Sequence, residues 1–346
     1  MSESAPLIEA EPAAASNGAD TPSNSDVVVI DELRSTYDRM RAEMAKVIIG
    51  QDEVVERLLI CVLSRGHALL MGVPGLAKTL MVNSLSKVMS LDFNRIQFTP
   101  DLMPSDITGT DILQETAEGR REFEFVKGPI FANIILADEI NRATPKTQSA
   151  LLEAMEELQV TVDGVTHHLQ HPFVVVATQN PIEYEGTFPL PEAQLDRFLM
   201  RISLGYPDFE EELAVIEQQE QAHPIDSLEA VATPKDVIGL QEAAKEIYVD
   251  RAVREYIVNL TEATRDHRDV SLGASPRASL GLFRAARALA LVLDRDYVIP
   301  DDIKTLAASV TAHRIILSPS ARMRGVRSVD LVSDLLNTIT VPGATR

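Results

Sequence analysis

The chain has 346 residues, enough for about two domains of roughly 150 residues each. Apolar residues make up 45% of it, a share that excludes disorder of the whole chain. Acidic residues outnumber basic ones by 52 to 32, which gives a formal net charge of -20. Because binding to a phosphate backbone requires a concentrated basic surface, this balance argues against nucleic acid as the main partner.

The acidic excess is concentrated at the N-terminus, where residues 1–33 contain seven acids and no Lys or Arg. We expect residues 1–30 to form a disordered acidic tail, because this composition buries too little surface to offset the entropy of ordering. The single cysteine, Cys61, rules out an intramolecular disulfide and favours a reducing compartment. The sequence shows no signal-peptide pattern and no apolar run near the ~20 residues of a membrane span. A cytoplasmic protein without a membrane span is therefore expected.

Residues 31–206 predict an α/β domain with a parallel sheet between helices, because continuous apolar runs alternate with helical patterns. The buried strands are expected within 67–71, 131–137 and 172–177, and helices at 31–44, 79–89 and 146–157. Two inserted β-hairpins are expected, one pairing 109–114 with 122–126 and one joining 159–162 to 165–169. Asp163-Gly164 in the second is a type I′ turn pattern. Residues 207–346 predict a small all-helical domain.

Residues Gly72–Thr79 read Gly-Val-Pro-Gly-Leu-Ala-Lys-Thr and stand between a predicted strand and a predicted helix. This is the context of a phosphate-binding loop, in which backbone N–H groups surround the β-phosphate of ATP. Lys78 would reach the β- and γ-phosphate oxygens, and Thr79 would hold Mg2+. Ala77 stands where the motif has its second glycine, so its methyl group requires an allowed φ there. A simple turn before a helix would leave the Lys78-Thr79 pair unexplained.

Two acids, Asp138 and Glu139, end the second predicted strand at the edge where parallel sheets bind ligands. Asp138 would hold the Mg2+ shell, and Glu139 would polarise the attacking water. Acid pairs at exposed strand ends are common, so this pair alone does not indicate a site. Its occurrence together with the phosphate loop is what favours a functional role. Asn180 ends the third strand at the same edge and is positioned to orient the water or contact the γ-phosphate, although Asn before Pro is also a turn residue.

Two arginines complete the candidate site. Arg197 is a candidate arginine finger for the γ-phosphate, with a salt-bridged surface residue as the alternative. Ser275 and Pro276 are typical of a helix start, which places Arg277 in the first turn. A cation there opposes the helix dipole by roughly 0.3–1 kcal/mol, so we expect an anion, with ATP phosphate as the candidate, to face this helix end.

Together these residues resemble the MoxR family of AAA+ ATPases over about residues 34–340. The resemblance is carried by residues 47–51, 72–79, 125–130, 136–142, 177–182 and 189–198. It implies a P-loop AAA+ core followed by a helical lid, and it makes Ala77 a family trait. Asn180 is implied as sensor 1, Arg197 as the arginine finger and Arg277 as sensor 2. The implied ATP-binding residues are Ile49, Gly50, Gly72, Val73, Pro74, Gly75, Leu76, Ala77, Lys78, Thr79 and Leu80.

The resemblance also implies a hexameric ring with ATP between subunits, so that Arg197 acts on a neighbour's nucleotide. It leaves open whether Arg277 acts in cis or in trans, and Arg142 is a second candidate for an intersubunit contact. Members of the family are thought to act as chaperones that mature or activate client proteins, commonly with partners that contain a von Willebrand factor A domain. The client itself is not identified by the sequence.

The leading hypothesis is therefore a magnesium-dependent ATPase ring that remodels client proteins. A ring-shaped nucleic-acid motor is the first alternative, but the hairpin at 159–169 contains His and no Lys or Arg to hold a phosphate backbone. A nucleotide-gated scaffold with little turnover is the second alternative. The intact Asp138-Glu139 pair argues against it.

Overall fold

The structure is a computed structural model that describes residues 24–115, 121–180, 186–219 and 224–342. The expected tail therefore lies mostly outside the described residues, but its predicted end at residue 30 is not where the first helix begins. That helix, α1, runs over Asn24–Ala45 and starts seven residues before the predicted position. Val27, Val28, Val29 and Ile30 are β-branched, and such residues are weak helix formers, which hides these first turns from sequence reasoning.

A five-stranded parallel sheet forms the centre of the α/β domain. Its strands are β1 (Ala68–Met71), β2 (Phe93–Gln97), β5 (Ile134–Asp138), β8 (Val174–Gln179) and β9 (Met200–Ser203). Their order across the sheet is β2-β5-β8-β1-β9. The helices of this domain, besides α1, are α2 (Asp52–Leu63), α3 (Lys78–Val88), α4 (Pro104–Thr108), α5 (Pro145–Glu157) and α6 (Glu192–Leu195). The three central strands were predicted from sequence, whereas the two edge strands, β2 and β9, were not.

Both faces of the sheet are covered, as the apolar runs predicted. Successive residues of a strand point to opposite faces, so Leu70 and Leu136 enter the core shared with α1, α2 and α3. Leu69 and Ile135 enter the second core, which contains Leu151 and other residues of α5. The parallel sheet between helices is therefore confirmed.

Both predicted hairpins are present and antiparallel. The first joins β3 (Gly109–Glu115) to β4 (Arg121–Lys127), and its turn, residues 116–120, lies outside the described residues. The second joins β6 (Gln159–Val162) to β7 (Val165–His168) through Asp163 and Gly164 at φ 48° and 85°, as a type I′ turn requires. The rings of Phe125 and His167 stack with centroids 3.9 Å apart, so the two hairpins touch.

The C-terminal region is helical, with one difference from the prediction. Its helices are α7 (Phe209–Gln219), α8 (Pro234–Glu246), α9 (Arg251–Arg265), α10 (Pro276–Val292), α11 (Pro300–Thr311), α12 (Pro319–Met323) and α13 (Ser328–Thr338). A short antiparallel pair, β10 (Val270–Leu272) with β11 (Ile316–Leu317), was missed, so the region is not all-helical. Strands of two or three residues are too short to show a period-two pattern.

The helical region packs on the α/β domain through one continuous core. Leu240 of α8 and Leu282 of α10 are fully buried in the same cluster as Leu58 of α2 and Met40 of α1. This packing fixes where α10 begins relative to the sheet. Among the helices that the structure describes, none is both long enough and apolar enough to cross a membrane.

Candidate functional site

The loop between β1 and α3 has the geometry of an anion cradle. Ala77 immediately precedes the first turn of α3 and has a left-handed backbone with φ 52°. This conformation costs an L-residue roughly 1–2 kcal/mol, which marks a position where glycine is the usual choice. The first four N–H groups of a helix have no partner within it, so the start of α3 can bind a negative charge. Lys78 lies in this first turn, and its Nζ donates a hydrogen bond to the carbonyl of Gly72 at 2.6 Å.

A cavity of 190 Å3 opens beside this loop. Its lining is mostly apolar and includes Val47, Ile48 and Ile49 from the loop before α2, Leu76 from the loop before α3, and Met81 from α3. Gly50 adopts φ 72°, and the carboxylate of Glu211 packs where a side chain on Gly50 would lie. The dimensions and apolar walls suit a flat aromatic ring such as a purine base.

A second cavity of 410 Å3 adjoins the first, since Gly75, Ala77 and Leu80 line both. It brings together residues from three separate parts of the sequence: the phosphate loop, the end of β5 and the end of β8. The predicted site residues that line it are Pro74, Gly75, Ala77, Lys78, Thr79, Leu80, Asp138, Glu139 and Asn180. We call this the phosphate cavity. Its lining joins a cationic side chain and a helix start to two carboxylates, a combination that suits a phosphate with a bound cation.

Asp138 is buried at the end of β5 and both of its carboxylate oxygens are hydrogen-bonded. The Thr178 hydroxyl donates to Oδ1 at 2.6 Å, and Arg95 Nη2 lies 2.6 Å from Oδ2. Thr79 offers a hydroxyl on the same cavity wall. Hard oxygen donors of this kind, few in number, fit Mg2+, which usually keeps several waters and binds the protein through one or two groups.

Glu139 follows Asp138 and is only partly buried. Its backbone is left-handed, with φ 56°, and its N–H donates to the Thr178 hydroxyl at 2.9 Å. Gln97 Nε2 donates to its Oε2 at 2.9 Å, and Arg142 Nε lies 3.0 Å from the same atom. The carboxylate is therefore held in place at the cavity wall, within reach of a water beside a bound phosphate.

The two predicted arginines lie together, but not at the phosphate cavity. Arg197 Nε lies 3.1 Å from Glu156 Oε2, and Arg277 pairs with the other oxygen of Glu156. Both arginines line a third cavity, of 590 Å3, whose walls come from α5, α10 and the segment after α6. Within this chain the anion at the start of α10 is thus the Glu156 carboxylate, and the expectation that ATP phosphate faces this helix end stays a prediction.

A buried ion pair connects this arginine pair to the helical region. Arg314 Nε lies 2.8 Å from Asp196 Oδ1, and the Ser275 hydroxyl donates to Asp196 Oδ2 at 2.8 Å. Burial lowers the pKa of Arg314, and Asp196 opposes that shift. Separating a buried ion pair leaves an uncompensated charge, so the contact between Arg314 and Asp196 is expected to persist. Because Asp196 also contacts Ser275 at the start of α10, the neighbouring Arg197 is fixed relative to α10.

His67 lies in the wall of the third cavity, which Arg197 and Arg277 also line, and its imidazole is neutral near neutral pH. Burial lowers its pKa to about 4, and its Nδ1 accepts from the Val175 N–H at 3.0 Å while Nε2 lies 3.1 Å from the Met155 carbonyl. It therefore joins α5 to the sheet and contributes no charge to the cavity near neutral pH.

Sequence reasoning missed four residues that hold the site residues: Arg95, Gln97, Glu156 and Thr178. Arg95 and Gln97 belong to β2, a strand that the sequence did not reveal. Asn94 and Arg95 are adjacent and both polar, so no period-two alternation marks this strand in the sequence. Glu156 could not be found from sequence, because it lies 41 residues before Arg197 along the chain and the fold alone brings them together.

The comparisons with known proteins agree with this architecture. Residues 67–200 match the ATPase family associated with various cellular activities, abbreviated AAA, and residues 262–335 match the AAA lid domain. The crystal structure of a provisionally named ATPase from Cytophaga hutchinsonii superposes with a TM-score of 0.86 at 43% identity, covering 92% of this chain and 98% of that one. The fold and its cavities thus define an ATPase with an AAA core and an AAA lid.

Of three curated relatives, two have names that narrow the class. Chaperone MoxR1 of Mycobacterium tuberculosis is 46% identical over 89% of this chain and 82% of its own length. Protein MoxR of Methylorubrum extorquens is 31% identical over 91% of this chain and 97% of its own length. An uncharacterized Bacillus subtilis protein, YeaC, is 52% identical over 90% and 97% of the two chains. The chain belongs to the MoxR family of AAA+ ATPases.

Proposed function

We propose that this ATPase binds ATP with Mg2+ in the two adjoining cavities of the α/β domain. The base would occupy the apolar cavity beside Ile49 and Gly50, and the triphosphate would follow the loop from Gly72 to Leu80. Lys78 would contact the β- and γ-phosphates, while Thr79 and Asp138 would hold the Mg2+ and its waters. When bound, the metal ion would neutralise the charge that develops on the phosphates.

Hydrolysis would depend on Glu139 and Asn180. Glu139 would accept a proton from the attacking water as general base, and Asn180 would orient that water or contact the γ-phosphate. Both line the phosphate cavity together with Lys78, which is the observation that carries the proposal.

The active assembly would be a homo-oligomeric ring, with six subunits as the expected number. Arg197 and Arg277 support this arrangement, because the described residues that line the phosphate cavity do not include them. Both arginines would stabilise charge on the nucleotide of a neighbouring subunit, so Arg277 would act in trans. In an isolated chain, Glu156 holds Arg197 and Arg277. In the ring, the two arginines would exchange this contact for the phosphate of the neighbour's nucleotide.

The ring would use ATP turnover to mature, activate or remodel client proteins in the cytoplasm, with a partner that contains a von Willebrand factor A domain. The first hairpin supports a protein client. Leu113 and Phe123 are directly opposite on β3 and β4 and are 54% and 76% exposed. Exposed apolar side chains of this size mark protein contact surfaces. The second hairpin has no Lys or Arg between residues 159 and 168, which argues against a nucleic-acid backbone as the client.

Client binding is tested by capture with a Glu139→Gln variant in ATP, which is expected to retain proteins that are absent from the same capture without nucleotide. Adding Phe123→Ser to this variant should reduce the captured client at least about fivefold, since an exposed apolar contact is lost. Val258→Ser is the matched control, because Val258 is an exposed apolar residue on α9. Capture that is independent of ATP, or unaffected by Phe123→Ser, would contradict the proposal.

A further inference from the structure

A chain of side-chain hydrogen bonds runs along β2 and connects Asp138 to Glu139. Arg95 donates to Asp138 Oδ2 through Nε at 3.1 Å and Nη2 at 2.6 Å. The same Nη2 donates to Gln97 Oε1 at 2.6 Å, and Gln97 Nε2 donates to Glu139 Oε2 at 2.9 Å. Arg95 and Gln97 are two residues apart on one strand, so they project from the same face toward both acids.

This arrangement places a cation on the carboxylate that the proposed function assigns to Mg2+. Oδ1 of Asp138 accepts from Thr178, so Oδ2, which pairs with Arg95, is the oxygen left for a metal-bound water. A guanidinium and a divalent cation repel each other at such distances, most strongly where protein excludes water. Asp138 keeps only 12% of its side-chain surface exposed, whereas Arg95 keeps 47% and has solvent to move into.

We propose that Arg95 is a positioning residue that competes with Mg2+ for Asp138, an inference that rests on the proposed role of Asp138. Without nucleotide, the Arg95 guanidinium holds Asp138 Oδ2 and bridges it to Gln97. With a metal ion at Asp138, the guanidinium would leave Oδ2 and move toward solvent. Metal binding therefore includes the free-energy cost of breaking this ion pair.

The proposal is tested by the affinity of Mn2+, a probe for Mg2+, for the ADP-bound protein, measured from the electron paramagnetic resonance signal of free Mn2+. Arg95→Gln is expected to tighten Mn2+ binding roughly three- to tenfold, because a partly exposed ion pair no longer has to be broken. Arg95→Lys keeps the positive charge but loses the planar guanidinium, so it should tighten Mn2+ binding less than Arg95→Gln does. Arg251→Gln removes an exposed arginine that pairs with Glu255 on α9, and is the matched control.

Two results would overturn the role of Arg95. One is an Mn2+ affinity that is unchanged or weaker in Arg95→Gln. The other is equal tightening in Arg95→Lys, since the charge would then not be the cause. Asp138→Asn separates this failure from failure of the proposed function: if that variant binds Mn2+ as well as the wild type, Asp138 does not hold the metal at all.

A kinetic measurement supplies an independent readout. In Arg95→Gln, the Mg2+ concentration that gives half-maximal ATP hydrolysis should fall by the same factor as the Mn2+ dissociation constant. The KM for ATP at saturating Mg2+ should stay within about twofold, because the phosphate contacts are untouched. A change in KM with no shift in the Mg2+ dependence would contradict the proposal.

Discussion

Replacing Lys78 with alanine is expected to abolish measurable binding of ATP, with a loss of affinity of at least about 100-fold. The physical reason is that Lys78 lies in the first turn of α3 on the wall of the phosphate cavity and would supply the cation nearest to the β- and γ-phosphates. The helix start and the loop amides would remain, but they carry only partial charges. Titration with a fluorescent ATP analogue measures the effect directly.

Lys245→Ala is the control for the loss of a lysine, because Lys245 lies on α8 and pairs with Glu242, on the surface of the helical region. Its affinity for the analogue should match that of the wild type. If Lys78→Ala also binds the analogue with unchanged affinity, the assignment of the loop at 72–79 to phosphate would be wrong.

The second large effect is expected for Glu139→Gln, which should slow ATP hydrolysis by about 10²- to 10⁴-fold while leaving ATP affinity within about threefold. The amide keeps the size of the side chain but cannot accept the proton of the attacking water. Gln97 and Arg142 hold the carboxylate at the cavity wall, so its loss removes a positioned base and not a mobile surface charge. Phosphate release under saturating ATP and Mg2+ measures the rate.

Glu153→Gln serves as the matched control, because Glu153 is an exposed acid on α5. That variant should hydrolyse ATP at the wild-type rate. Undiminished hydrolysis in Glu139→Gln would remove Glu139 from the mechanism and would favour a different general base.

The sequence predicted the centre of the fold better than its edges, for a physical reason. β1, β5 and β8 are buried on both faces and read as continuous apolar runs, which stand out in the sequence. β2 and β9 are the two edge strands and carry polar residues where they meet solvent, so Phe93–Gln97 and Met200–Ser203 resemble loops. The hairpins were predicted because period-two alternation and an Asp-Gly turn are local signals.

The candidate site likewise has a part that local sequence signals predict and a part that depends on tertiary packing. Motif spacing predicted that Lys78, Asp138, Glu139 and Asn180 meet at one edge of the sheet, because parallel strands all end there. It could not predict that Arg197 and Arg277 share Glu156 in another cavity, since this depends on how the fold brings the start of α10 to the end of α5. The contacts of Arg95 with Asp138 were equally hidden, because they required a strand that the sequence did not reveal.

We expect each ATP site to be completed by the arginines of a second subunit, and mixing two inactive variants distinguishes this arrangement from sites built within one chain. Lys78→Ala and Arg197→Ala chains, carrying different affinity tags, are co-expressed and purified through both tags. In random assembly about a quarter of the interfaces join an intact Lys78 to an intact Arg197, so about a quarter of the wild-type hydrolysis rate is expected. Doubly tagged assemblies that remain inactive would contradict this expectation.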